Sequence, residues 1–482
     1  MNAMNAPRLL LAGLGLALAG AACAGQSLEQ IRYALYKDPS ADVSADLRML
    51  AERGDLASKQ LLGDVLASND NANRDEVIAL YREAFAEGRG QVPALASLAR
   101  LLDRNPNLQG SQEAWVRNAL TQYPNNLDPR TTSTSLEVFL VYPQLLPGNQ
   151  AAELLALYQQ SCLLNCRPEL YHAVVAERQG NRAEAERWYQ KAARVDPRGV
   201  DRYYRFLGER QDTAFVAFAR SVEPEMAGLP VEIVHRIGSL LDNIYSVERA
   251  EQDADRDQRQ AAAMGPKVEP TPEQLARDRA IEQARTAGIE EVQRWMDNAV
   301  GRGYLPALIS KANFMISNPT EHNAEEVQAV INQVRSQDPT RAKVLDASFY
   351  MVNNWLTLDP EKAHALIQEL IASNYRDARL LLGDLYSKGG LDQPDQQRAL
   401  DIWQQQADQG STAAWYRMAT LYSRGRAICH DPVKAYTYAR VALDLGETRA
   451  RGLIKRLEKT LPKDDIERAL AARNDLLKEA TL

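Results

Sequence analysis

A segment of this chain returns 36 residues later in nearly the same pattern, and that period limits the fold more than any other feature of the sequence. DARLLLGDLYSKG, from Asp377 to Gly389, recurs as AAWYRMATLYSRG, aligning Ala378 with Ala414, Leu382 with Met418, Tyr386 with Tyr422 and Gly389 with Gly425. Taken alone, ARLLLGDLYSKGG reads equally well as a buried strand running into a glycine loop that cradles phosphate. The spacing argues for a helix instead. Ala378, Leu382 and Leu385 fall at i, i+4 and i+7 on one face, and Gly389 stands where a C′ glycine ends a helix. A second helix follows in the same frame, because Ala363, Ala399 and Ala435 are 36 apart, as are Ile367, Trp403 and Ala439. Each unit is therefore a helical hairpin. In the third copy, RARGLIKRLEKTL, Ala450 and Ile454 are kept but Glu458 replaces the tyrosine, as expected where a terminal repeat meets water.

Fainter copies extend the pattern upstream. QLLGDVL with LYREAFAEG begins at Gln60, and RWMDNAVGRGYLPALISKANF begins at Arg294. Between them lies GNRAEAERWYQKAARVDP, which resembles the second helix of a tetratricopeptide repeat, with Ala185, Tyr189, Ala192 and Pro197 at the spacings of that family. The expected fold is all-α, a right-handed superhelical solenoid of antiparallel helix pairs, with room for roughly 9 to 11 hairpins. Composition agrees: aromatic residues make up only 7%, and Val/Ile/Thr alternation with a period of two is scarce. A net charge of −7, with basic residues interleaved among acids, leaves no basic stripe for a phosphate backbone and sets nucleic acid aside.

Residues 1–22 are a signal peptide, in which Arg8 precedes an apolar run too short to serve as a permanent membrane span. Cys23 follows Gly20-Ala21-Ala22, an arrangement like a lipobox, which makes Cys23 a candidate for lipidation. Ordinary cleavage after Ala24 is the competing reading, and it discards Cys23. Residues 23–260 are assigned to N-terminal helical repeats, 261–273 to a flexible proline-rich loop, 274–461 to C-terminal repeats and 462–482 to a capping helix. The loop assignment follows from Pro266, Pro270 and Pro272 among charge runs. Upstream of them, DADRD imitates a calcium loop, but Gln258 and Met264 stand where glycine and glutamate are required.

Cysteine is sparse, with four residues. Cys162 and Cys166 form either a local disulfide or two reduced side chains one helical turn apart. A zinc site there would need further ligands, and His172 is the single near candidate. Catalytic constellations are missing from the sequence pattern. His172, His235, His322, His364 and His430 are scattered, and the carboxylate pairs Glu290/Glu291 and Asp464/Asp465 are unspecific. No catalytic, cofactor-binding or metal-binding residue is assigned. A solenoid offers a long surface for partners instead, and Trp415 is the candidate partner-binding residue because its counterpart one repeat earlier is Arg379. Tyr386 and Tyr422 repeat in register and are expected to fill hairpin seams.

The 36-residue pair of helices, with its small residues at close-approach positions and its tyrosine near the first helix's end, resembles the Sel-like repeat, a relative of the tetratricopeptide repeat. Separate stretches of the chain are similar to the AlgK family of alginate-secretion lipoproteins. The likeness is carried by VFLVYPQLLPGNQAAELLALYQQ from Val138, LYHAVVAERQGNRAEAERWYQKA from Leu170 and LPKDDIERALAARNDLLKE from Leu461. That resemblance implies a non-enzymatic scaffold on the periplasmic face of the outer membrane. It also implies partners, namely a β-barrel exporter and periplasmic polysaccharide-modifying proteins. Two rival readings stay open: an adaptor of another envelope or cell-wall complex, and a periplasmic enzyme with an unrecognised site.

Overall fold

Helix follows helix through the computed structural model, which describes residues 26–37, 41–68, 73–122, 129–146, 148–162, 166–208, 211–262, 271–388, 395–424 and 430–480. Among the described residues there are 24 α-helices and no strand. The first are α1 (Leu28–Lys37), α2 (Ser44–Glu52), α3 (Leu56–Ala67), α4 (Arg74–Phe85), α5 (Pro93–Arg104) and α6 (Gln109–Gln122). Then come α7 (Pro129–Val141), α8 (Gly148–Ser161), α9 (Glu169–Arg178), α10 (Arg182–Val195), α11 (Pro197–Phe206) and α12 (Gln211–Val222). Two long helices follow, α13 (Val231–Ala262) and α14 (Pro272–Gly301), then α15 (Leu305–Ser317), α16 (Ala324–Arg335), α17 (Pro339–Phe349) and α18 (Pro360–Ala372). The last are α19 (Ala378–Lys388), α20 (Gln396–Asp408), α21 (Thr412–Arg424), α22 (Pro432–Asp444), α23 (Ala450–Thr460) and α24 (Lys463–Ala480). Two compact units emerge. One contains α1 to α4, the other runs from α7 to α24, and α5 and α6 are divided between them.

The signal peptide, Cys23, Cys429 and the helix-ending glycines Gly389 and Gly425 lie outside the described residues, as do 263–270 of the proline-rich segment. On either side of that segment α13 and α14 pack against each other. Thr271 and Gln274 close a capping box at the start of α14, each side chain bonding the other's backbone N–H, and Pro272 occupies the first turn, where its missing N–H costs nothing.

Three aspartates set the register of the C-terminal hairpins. Asp359, Asp395 and Asp431, spaced 36 apart, cap α18, α20 and α22, accepting from the backbone N–H of Lys362, Arg398 and Lys434. Their own N–H groups donate to the carbonyls of Tyr350, Tyr386 and Tyr422 at 2.9, 3.0 and 3.2 Å. The basic residue three positions beyond each aspartate then lies over the ring of the same tyrosine, at 4.1, 4.1 and 5.3 Å from its centroid. Tyrosine, aspartate and base thus form a clasp that fixes the turn between the two helices of a hairpin.

Complementary sizes pack the two helices of a pair. Gly383 on α19 faces Trp403 on α20 so closely that a Cβ there would sit 2.2 Å from the indole nitrogen, and that nitrogen donates to the Leu380 carbonyl at 3.3 Å. One repeat away the same positions hold Ala347 with Ile367 and Ala419 with Ala439, all fully buried. Of the expected stripe, Ala378 and Leu385 are buried, but Leu382 is only half-buried and Leu380 lies inside. Packing on both sides of α19 widens the buried sector beyond a single i, i+4, i+7 row. The terminal helix α24 lies against α22. Glu458, which replaces the tyrosine of the earlier copies, remains exposed and accepts a 2.8 Å hydrogen bond from the Tyr436 hydroxyl.

Candidate interaction surface

Two buried glutamates of the second unit hold helices of different hairpins together. Glu137 on α7 is buried, receives Arg198 at 2.7 Å and accepts from the Tyr171 hydroxyl at 2.8 Å, which joins α7, α9 and α11. Burial, then the neighbouring Glu137 charge, hold the Tyr171 hydroxyl well above the usual phenol range, so it stays a donor. Glu291, one of the adjacent carboxylates noted in the sequence, is equally buried and is bound by Arg220 at 2.9 Å and by the Tyr245 hydroxyl at 2.7 Å. Its neighbour Glu290 points to solvent. The two carboxylates share no site.

The histidines are likewise dispersed, and His430 is exposed. His172 stacks on Trp188 with centroids 4.2 Å apart and contacts Gln159 at 3.0 Å. His235 meets Ser310 at 2.9 Å, and burial, helped by nearby Arg236, pushes its pKa down to about 4. His322 lies edge-on to Phe314, and His364 contacts Gln368. Among the described residues no three His, Cys, Asp or Glu side chains gather where a metal ion could be held. Cys162 and Cys166 are joined as a disulfide, their Cα atoms 5.8 Å apart, at the end of α8.

Trp415 corrects the sequence-based expectation. It is 3% exposed, in the cluster formed by α19 to α24, with its ring 5.4 Å from that of Tyr438. Arg379 one repeat earlier gave it the look of a surface position, but α22 supplies an aromatic neighbour there and closes over it. It cannot serve as a surface anchor in this packing. Tyr386 is buried in the clasp, and Tyr422 lies 5.8 Å from Tyr438, also in the hairpin interior.

What the surface does offer is a short set of large apolar side chains: Tyr33, Tyr36, Leu275, Leu356 and Leu358. Leu356 and Leu358 are at 109% and 51% exposure, on the connection between α17 and α18. That connection is firmly held. Trp355, buried beside them, donates its indole N–H to the carbonyls of Pro319 and His322 at 3.1 and 2.9 Å and packs 5.2 Å from Phe349. Asp359 closes the other end on Tyr350. A rigid turn presenting two leucines is suited to insertion into a partner's apolar pocket, since little ordering entropy remains to be lost. One sequence does not reveal which of Trp355, Leu356 and Leu358 faces inward.

Paired helices in tandem and side-chain ties between hairpins define a helical-repeat protein. No family model matches the chain. Its whole length is nevertheless similar to an alginate biosynthesis protein, AlgK of Pseudomonas syringae pv. tomato, at 23% identity over 483 residues, covering 99% of this chain and 93% of that one. AlgK of Azotobacter vinelandii is 32% identical over 120 residues, 25% of this chain and 26% of that protein. The resemblance read from separate stretches therefore extends along the entire chain. Among solved structures, the protective antigen c5321 of uropathogenic Escherichia coli, which displays an SLR fold, aligns with 92% of this chain and 96% of its own at 15% identity and a TM-score of 0.26. A Sel1 repeat protein from Oxalobacter formigenes aligns with 88% of this chain and 92% of its own at 17% identity and a TM-score of 0.23. Superpositions this loose add nothing to the fold already visible in the helices.

Proposed function

We propose that this chain is a non-catalytic scaffold of alginate biosynthesis and export, held to the periplasmic face of the outer membrane by acylation of Cys23. In that place it positions a β-barrel exporter and bridges it to periplasmic polysaccharide-modifying proteins. The single observation that supports this most is the end-to-end similarity to an alginate biosynthesis protein, joined to a hairpin array whose interior charges are consumed in structural ties. The leucine turn at Leu356 and Leu358 is the contact this reading assigns to a partner. No helix among the described residues is long and apolar enough to cross a membrane, so membrane attachment in this reading falls to the acyl chains.

Deleting the gene and measuring secreted polymer and exporter location tests the reading. Loss of secretion with a misplaced exporter, restored by the wild-type gene, is expected. Normal secretion in the deletion strain, or turnover of alginate by the pure protein, contradicts it. An adaptor of another envelope complex is the alternative that normal secretion would favour.

A further inference from the structure

Helix α1 carries an apolar face and a contrasting outer face. Ile31 is fully buried, and Leu28, Ala34 and Leu35 pack with it against Val43, Leu47 and Leu62 of the first unit. These inward positions fix the opposite side as outward: Glu29, Arg32, Tyr33, Tyr36 and Lys37 are exposed there, with Tyr33 at 58% and Tyr36 at 84%. Two of the five large apolar side chains exposed among the described residues thus fall within one turn of a ten-residue helix. Lys37 extends its ammonium to 4.9 Å from the Tyr33 ring, leaving an aromatic and basic face with Glu29 as its single acid and a net charge opposite in sign to that of the whole chain.

We propose that this face of α1 rests on the membrane surface, with the rings of Tyr33 and Tyr36 at the headgroup level and Arg32 and Lys37 against anionic phosphates. The inference rests on the acylation of Cys23 proposed above. Four residues separate Cys23 from Leu28, a tether of at most about 18 Å even fully extended, so the start of α1 stays within about 18 Å of the lipid surface while the acyl chains are inserted. Tyrosine is suited to that depth because its ring favours the apolar boundary while its hydroxyl stays hydrated, and basic side chains beside it gain from anionic lipid. The contacts would set the orientation in which the first unit stands on the membrane, which inserted acyl chains alone do not.

The test uses the full mature chain, metabolically labelled with palmitate to establish acylation and reconstituted in vesicles of phosphatidylethanolamine with phosphatidylglycerol. A photo-crosslinking amino acid is placed at Tyr36 in one protein and at Leu356, the most exposed apolar position of the second unit, in another. Both sites are at the surface, so both proteins should keep wild-type helix content, checked by circular dichroism. The account expects abundant lipid adducts from position 36, few from position 356, and a several-fold drop at position 36 when Arg32→Glu and Lys37→Glu are added. Acylated protein that gives no lipid adduct at position 36, or equal yields from the two positions, overturns the inference and leaves the anchor standing. With the same crosslinker at position 36 activated in intact cells, adducts with another protein in place of lipid overturn it in favour of a protein partner. Absence of palmitate overturns the anchor reading, and the inference falls with it.

Discussion

Lys455 Nζ lies 2.9 Å from Asp212 Oδ2, although 243 residues of chain separate the two. A simple linear stack of hairpins would place these residues many repeats apart, because each unit touches only its neighbours. Here α23 returns to α13: Gly452 is packed against Val247, and the Arg451 guanidinium lies 5.2 Å from the centre of the Tyr204 ring. The ion pair is partly exposed on both sides and contributes little by itself. Close backbone approach at Gly452 is the larger determinant. The second unit therefore gains a non-neighbour contact that a one-dimensional repeat description omits, and damage to its last hairpins should be felt near its middle.

Gly452→Ala tests this closure. Its new Cβ would stand 2.2 Å from Val247 Cγ1, so one element must shift, and a loss of about 1–3 kcal/mol is expected in chemical unfolding. Adding Val247→Ala should recover much of that loss, and the recovery measured in a double-mutant cycle reports contact rather than helix propensity. Additive effects of the two substitutions would show that α23 does not press on α13.

Within a hairpin the corresponding test is Gly383→Ala. The substitution favours helix by propensity yet drives a methyl group into Trp403, so net destabilisation is expected, again about 1–3 kcal/mol. Met418→Ala, at a position 1% exposed, should cost about 2–5 kcal/mol through the cavity it leaves. Leu382→Ala, at the equivalent but half-buried position, should cost clearly less. Thermal and urea unfolding of the three proteins rank them directly.

That last contrast shows where the sequence was informative and where it was not. The 36-residue period was enough to establish helical hairpins, the inward alanines and the seam tyrosines, because a period repeated in register survives substitution at single positions. It also contains Asp359, Asp395 and Asp431, whose equal spacing of 36 residues is the signal of the clasp among the polar positions. Leu382 and Trp415 were misplaced for a different reason. Their burial depends on how the helices packed against them lie, and no local period records that. The exposed leucines and the outer face of α1 belong to the same class: a surface is defined by what fails to cover it.

Acidification provides a separate check. The buried ring of His235 is held near a pKa of about 4, below its ordinary value of 6.5, so between these limits the unfolded chain binds a proton that the folded chain does not. Stability should fall as pH drops through that window and level off below it. His235→Asn should flatten this part of the profile, seen in urea midpoints measured at about pH 7 and about pH 5. An unchanged pH slope in the variant would assign the acid sensitivity to other groups.

The scaffold itself is tested most directly by affinity capture of the full chain from alginate-producing cells in mild detergent, with the wild type and Leu356→Asp compared side by side. The account predicts that an outer-membrane β-barrel and periplasmic polysaccharide-handling proteins are captured with the wild type, and that Leu356→Asp, still fully helical, loses at least one of them. Capture of the chain alone from cells that secrete alginate normally would contradict it.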